Sequence, residues 1–216
     1  MRRRLPLYVW ASLGLMLSVQ MLVFYGTRLA LPYLTLRDLS VPLDAQIPFI
    51  PAWVTVYFSC FVLWLVNALW ILSESRAHAF RFACAYLIAL AISAACFLLL
   101  PCTMERPAVT GDGLFAAWMR FLYRADTPTN LCPSLHVVVT YFCWRGTMGC
   151  TKIPRWYRWF SFAALILVCL SILFVKQHVL IDIPAAIAVS ELSLQLARSL
   201  RAERLLFALS RRIKHR

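Results

Sequence analysis

Residues 5–25 carry no charged side chain. An apolar stretch of about 20 residues is what a helix needs to cross the hydrocarbon core of a bilayer. Further uncharged apolar stretches lie at 52–72, 82–100 and 159–175, with a shorter one at 135–144 and one at 179–196 that carries Asp182 and Glu191. In lipid, a spanning segment must satisfy its own backbone groups, which favours helices. The composition agrees. Of 216 residues 62% are hydrophobic and 14% are charged, against roughly a quarter charged in a soluble domain. These numbers exclude a disordered chain and an ordinary soluble enzyme. Six spans at about 20 residues each use about 120 residues, close to the apolar content. The expected fold is an all-α polytopic membrane protein, six transmembrane helices in one bundle over residues 1–200. A basic amphipathic tail is expected at 201–216. The first run, preceded by Arg2, Arg3 and Arg4, is long for a signal peptide and lacks a small-residue cleavage pattern, so an uncleaved helix is expected.

The formal charge is +13, and its distribution decides what it means. With the N-terminus inside, sixteen of the 22 Lys and Arg fall on the inner side and six on the outer side. This is a positive-inside pattern. It expects both termini to be cytoplasmic, in an inner or plasma membrane. It assigns the basic tail to anionic lipid heads rather than to nucleic acid. The long connection at 101–134 contains a helical apolar pattern at 114–123, expected to lie along the membrane surface.

Polar residues with chemical capacity gather on the outer side in this topology. His178 and Asp182 are four apart and share one face if the start of the last span is helical. A carboxylate on one imidazole nitrogen fixes the tautomer and frees the other nitrogen as a nucleophile. Pro184 tolerates this only near the helix start, so Asp182 belongs in the first turn or just before it. His136 is a second imidazole, with Ser134 as the expected cap of its helix. Arg106 and Lys176 supply cations that suit a phosphate. Two His and one Asp also resemble a facial metal triad. The adjacent cations repel a dication, so no metal and no other cofactor is expected. Glu191 in the last span is expected to meet a polar neighbour such as Asn67, or to sit near the inner interface. Most of the eight cysteines fall within spans, while Cys102 and Cys132 sit at the two ends of the long outer loop, where a disulfide would close it.

Arg106-Pro107, then Pro133-Ser134-Leu135-His136, then His178 with Asp182 four residues on, resembles the type 2 phosphatidic acid phosphatase superfamily. The Ser134-Leu135-His136 form, Lys176-Gln177-His178 and the stretch 47–51 resemble its inositol phosphorylceramide and sphingomyelin synthase branch. The similarity covers about residues 44–190. It implies a metal-free six-helix enzyme. His178 would be the nucleophile, Asp182 its orienting base, His136 the acid for the leaving oxygen, and Arg106 and Ser134 the phosphate ligands. Two cations of the phosphatase pattern are replaced, by Leu99 and Ile172, and Lys176 is the candidate substitute for one of them. The expected function is a membrane lipid phosphatase working through a phosphohistidine, with its site facing the periplasm or cell exterior. Head-group phosphotransfer is the alternative within the class. A non-catalytic lipid carrier or flippase is the alternative outside it.

Overall fold

A computed structural model describes residues 5–201 and 204. It contains seven α-helices: α1 (Leu7–Arg28), α2 (Val54–Leu72), α3 (Arg76–Leu99), α4 (Leu114–Ala125), α5 (Leu135–Thr147), α6 (Arg155–Phe174) and α7 (Asp182–Ser199). Of the expected basic tail, all but Arg201 and Arg204 lies outside the described residues. Four helical segments, containing α1, α2, α3 and α6, are long and apolar enough to cross a membrane. The expected fourth and sixth spans coincide with α5 and α7, which fall short for different reasons. α5 has only 13 residues, about 20 Å of helix. α7 carries Asp182, Glu191 and Arg198.

α5 is the central element. It packs against α2, α6 and α7, and eleven of its thirteen residues are buried. Its protein environment replaces lipid, so it needs neither a span's length nor its uniform hydropathy. Gly146 sets the close approach of α5 to its neighbours. A Cβ there would stand 2.6 Å from a Phe82 ring carbon and 2.8 Å from Ile71 Cδ1. Gly146→Ala is therefore expected to destabilise the bundle by about 1–3 kcal/mol through overpacking. A thermal midpoint equal to the parent's would contradict this packing.

Buried polar groups join the helices where the hydrophobic drive between them is weak. Trp64 Nε1 donates to Thr140 Oγ1 at 2.8 Å. Asn67, fully buried, donates to the Tyr157 hydroxyl at 3.2 Å and accepts from Ser161. Glu191 does not meet Asn67. It accepts from Arg145 Nε at 2.6 Å and from the Tyr141 hydroxyl at 2.6 Å, tying α7 to α5. Arg145 lies in the last turn of α5, directly after Trp144, so a residue read as a boundary charge serves as an interhelical link.

The loops at the other end of the bundle are built on each other. A two-residue parallel pair, β1 (Arg37–Asp38) with β2 (Cys102–Thr103), joins the first loop to the third. This is a small departure from an all-helical chain. Beneath it Cys102, Met104, Leu131 and Val179 form a second apolar cluster. The Cys132 N–H donates to Cys102 Sγ at 3.3 Å. Both cysteines are free thiols, so the disulfide considered for them is not formed. Burial pushes both thiols up, Cys132 to about 12 with help from the neighbouring Asp182 carboxylate. Such thiols are poor nucleophiles. α4 presents Leu114, Phe115, Trp118 and Phe121 outward while Ala116, Met119 and Leu122 pack inward. An exposed apolar face of this kind suits a lipid interface.

Candidate active site

The end of α6 determines where His178 points. Val175 closes the helix and Lys176 adopts a left-handed conformation with φ 52°. The Gln177 N–H returns to the Ile172 carbonyl at 2.9 Å and the Lys176 N–H to the Leu173 carbonyl at 3.1 Å. These two bonds are the Schellman pattern, which glycine usually completes. A lysine there carries about 1–2 kcal/mol of steric cost. The reversal turns Gln177 and His178 into the space between α5 and α7.

Asp182 is the first residue of α7 and is fully buried. Its Oδ2 lies 2.9 Å from His178 Nδ1 and accepts the Val179 N–H at 3.1 Å. A carboxylate acceptor assigns the proton to Nδ1 and leaves Nε2 unprotonated. The placement of Asp182 in the first turn follows the Pro184 argument. Ser134 caps α5, accepting from Val137 N at 3.4 Å, and its own N–H donates to the Asp182 carbonyl at 3.4 Å. Through that second bond the starts of α5 and α7 are held together. The His136 and His178 rings then lie 5.7 Å apart, centroid to centroid, nearly edge to face. His136 is enclosed on its other sides by Tyr57, Phe61 and Trp64, at 4.5, 6.1 and 5.5 Å.

A small cavity of about 20 Å³ touches both imidazoles, with Asp126, Asn130 and Gln177 among its other walls. The three expected phosphate ligands are distributed differently from one another. Arg106 stands behind the wall, donating to the Asp126 carbonyl at 2.6 Å and to Gln177 Oε1, with its guanidinium over the Tyr123 ring. Burial pulls the Arg106 guanidinium below its ordinary value, opposed by the Asp126 carboxylate. Ser134 is fully buried and its hydroxyl serves as the cap. Lys176 donates to the Asp44 carbonyl at 2.9 Å and lines a separate hollow of about 550 Å³ with mixed polar and apolar walls, which His178 also borders. Burial lowers the Lys176 ammonium as well, with Asp44 opposing. Of the two cation-replacing positions, Leu99 faces outward and Ile172 is in the core. Among the described residues no group of three His, Cys, Asp or Glu side chains has the arrangement of a metal site.

Three residues at the site had no role in the motif reading, although Gln177 stands within one of its motifs. Arg28, at the end of α1, bonds Asp126 Oδ1 and stacks on Phe24 at 3.9 Å. Asp126 is also approached by the Tyr57 hydroxyl at 3.4 Å. Gln177 is 1% exposed, and its Nε2 has no hydrogen-bond partner among the described residues. Arginine can only donate, so Arg106 fixes the Gln177 oxygen toward itself and turns the amide N–H₂ away. The sequence signal for Gln177 is its place in the Lys176-Gln177-His178 segment, which says nothing of its role.

Comparison of the chain with protein-family models, with curated proteins and with solved structures returned no match. The functional reading therefore stands on the motifs and on this geometry.

Proposed function

We propose that the chain is a membrane lipid phosphatase of the type 2 phosphatidic acid phosphatase kind, acting on a lipid phosphate or diphosphate. The observation that carries this reading is the His178 Nδ1 to Asp182 Oδ2 contact of 2.9 Å with a second imidazole 5.7 Å away across a shared cavity. Reacting atoms must approach to about 3–3.5 Å, so the two rings are within reach of one phosphoryl group. In the first step His178 Nε2 attacks phosphorus and the bond to the lipid oxygen breaks, with His136 delivering a proton to that oxygen. In the second, His136 takes a proton from water, the water oxygen attacks phosphorus, and the P–N bond breaks to release phosphate. Asp182 balances the charge that develops on His178 in both steps. In this reading six segments cross the membrane, α5 and α7 inside a ring of the more apolar helices. The termini are cytoplasmic and the site faces outward. α4 rests on the lipid surface.

The test is a panel of lipid phosphates and diphosphates offered to the purified protein in detergent, with free phosphate and new phosphorylated lipids both followed. Free phosphate supports hydrolysis. A phosphorylated acceptor lipid without free phosphate would replace it by head-group transfer. No product from any lipid would contradict both.

Gln177 has a definite place in this reading. A buried amide without an acceptor costs about 1–3 kcal/mol, and a phosphoryl oxygen in the cavity supplies one. Gln177→Glu keeps an acceptor for Arg106, removes the donor and adds a negative charge. It is expected to lower kcat/KM by about 10²-fold without lowering the thermal midpoint. Parental kinetics in this variant would remove Gln177 from the phosphate site.

A further inference from the structure

An apolar groove runs from His136 between α1 and α2 toward the middle of the bundle. Its upper part, about 350 Å³, is walled by Phe24, Tyr57, Phe58 and Phe121 and has His136 at its end. Its lower part, about 170 Å³, ends against Ala68, Phe82 and Tyr86. The two parts share Gln20, Met21, Phe61 and Trp64. A bond of 2.7 Å from the Tyr86 hydroxyl to Gln20 Oε1 pairs two of the polar groups in this wall. From Leu13 to Phe24 along α1 the groove extends about 16 Å.

The proposed chemistry says which side of the phosphorus the lipid must occupy, and this inference rests on that chemistry. In a phosphoryl displacement the attacking and leaving atoms lie roughly in line across phosphorus. His178 attacks, so the leaving oxygen and its chain lie on the side of His136, which protonates that oxygen. The groove borders His136 and does not border His178. The hollow beside Lys176 borders His178 and not His136, so it lies on the wrong side of phosphorus for the leaving chain. A second apolar groove of about 720 Å³, between α2 and α6, reaches neither histidine.

We propose that the α1–α2 groove is the subsite for the hydrocarbon chain that carries the leaving oxygen, and that its closed lower end limits the length of that chain. The ligand class is thus a lipid phosphate with one long alkyl, acyl or isoprenoid chain seated in the protein, any second chain remaining in the bilayer. Aromatic side chains supply large contact area at low entropy cost along this path.

Purified full-length protein is assayed on short-chain and long-chain alkyl phosphates. Ala68→Trp fills the lower end from α2. Leu17→Trp fills it from α1, at a residue 47% exposed that tolerates bulk. Val66→Trp, in the α2–α6 groove, is the control. In either groove variant the ratio of kcat/KM for long over short chains is expected to fall by about tenfold or more, while Val66→Trp keeps the parental ratio. A parental ratio in both groove variants, with an active parent, overturns the groove assignment alone. A ratio that falls equally in Val66→Trp also overturns it. A parent inactive on both chain lengths overturns the phosphoryl-transfer reading, and this proposal with it.

Discussion

His178→Ala is expected to abolish phosphate release from lipid phosphates, a loss of about 10⁴-fold or more. The size follows from the role. Removing a covalent nucleophile eliminates the two-step route altogether, leaving only the catalysis that positioning and electrostatics provide. The substitution also strips a hydrogen bond from Asp182, which is fully buried, at about 1–3 kcal/mol. A fold control is therefore needed. His178→Asn retains an amide that can donate toward Asp182 but cannot carry the phosphoryl group. It should be folded and as inactive as the alanine variant. Parental turnover in a folded His178→Asn protein would remove the nucleophile from the account.

Asp182→Asn is expected to lower kcat by about 10²–10³-fold by a different route. Oδ2 of the carboxylate accepts from both His178 Nδ1 and the Val179 N–H. An amide oxygen in that place keeps both bonds, the ring and its tautomer. What the variant lacks is the negative charge that balances the imidazolium formed when Nε2 attacks. Binding of a lipid phosphate should survive, so kcat falls far more than KM rises. Slow phosphorylation of His178 should persist, which separates this variant from His178→Ala. Equal losses in kcat and affinity would show that Asp182 acts through the fold alone.

Much of this site is local in sequence, and that is why it was legible. The Pro184 limit on the helix start and the Ser134 cap follow from helix geometry within one turn. His178 itself precedes α7, in the turn that leads into Asp182, so the pair meets because the Asp182 carboxylate reaches back to Nδ1 and not because both lie on one helix face. The helix α4 followed from its apolar periodicity. What was not legible depends on contacts between distant segments. Arg28 reaches Asp126 across 98 positions, and the end of α1 read as loop. The pairing of β1 with β2 involves two residues per strand and has no pattern of its own. Lys176 completes a Schellman turn without the glycine that would announce it. Hydropathy also has a physical limit here. It reports what a segment needs when it faces lipid, so it identifies α1, α2, α3 and α6. α5 faces protein on nearly every side, and its thirteen residues follow packing rules instead. Glu191 shows the same limit. Its partner Arg145 lies on a neighbouring helix and was counted as a topological charge.

The central claim is a phosphohistidine at position 178. The most direct measurement is peptide mass spectrometry of the purified protein, quenched in alkali during turnover of a lipid phosphate. The account predicts a phosphoryl group on the His178 peptide, present while substrate lasts, lost after acid treatment, and absent from the His178→Asn protein. Turnover without any phosphoenzyme, or a phosphoryl group on another residue, would contradict it.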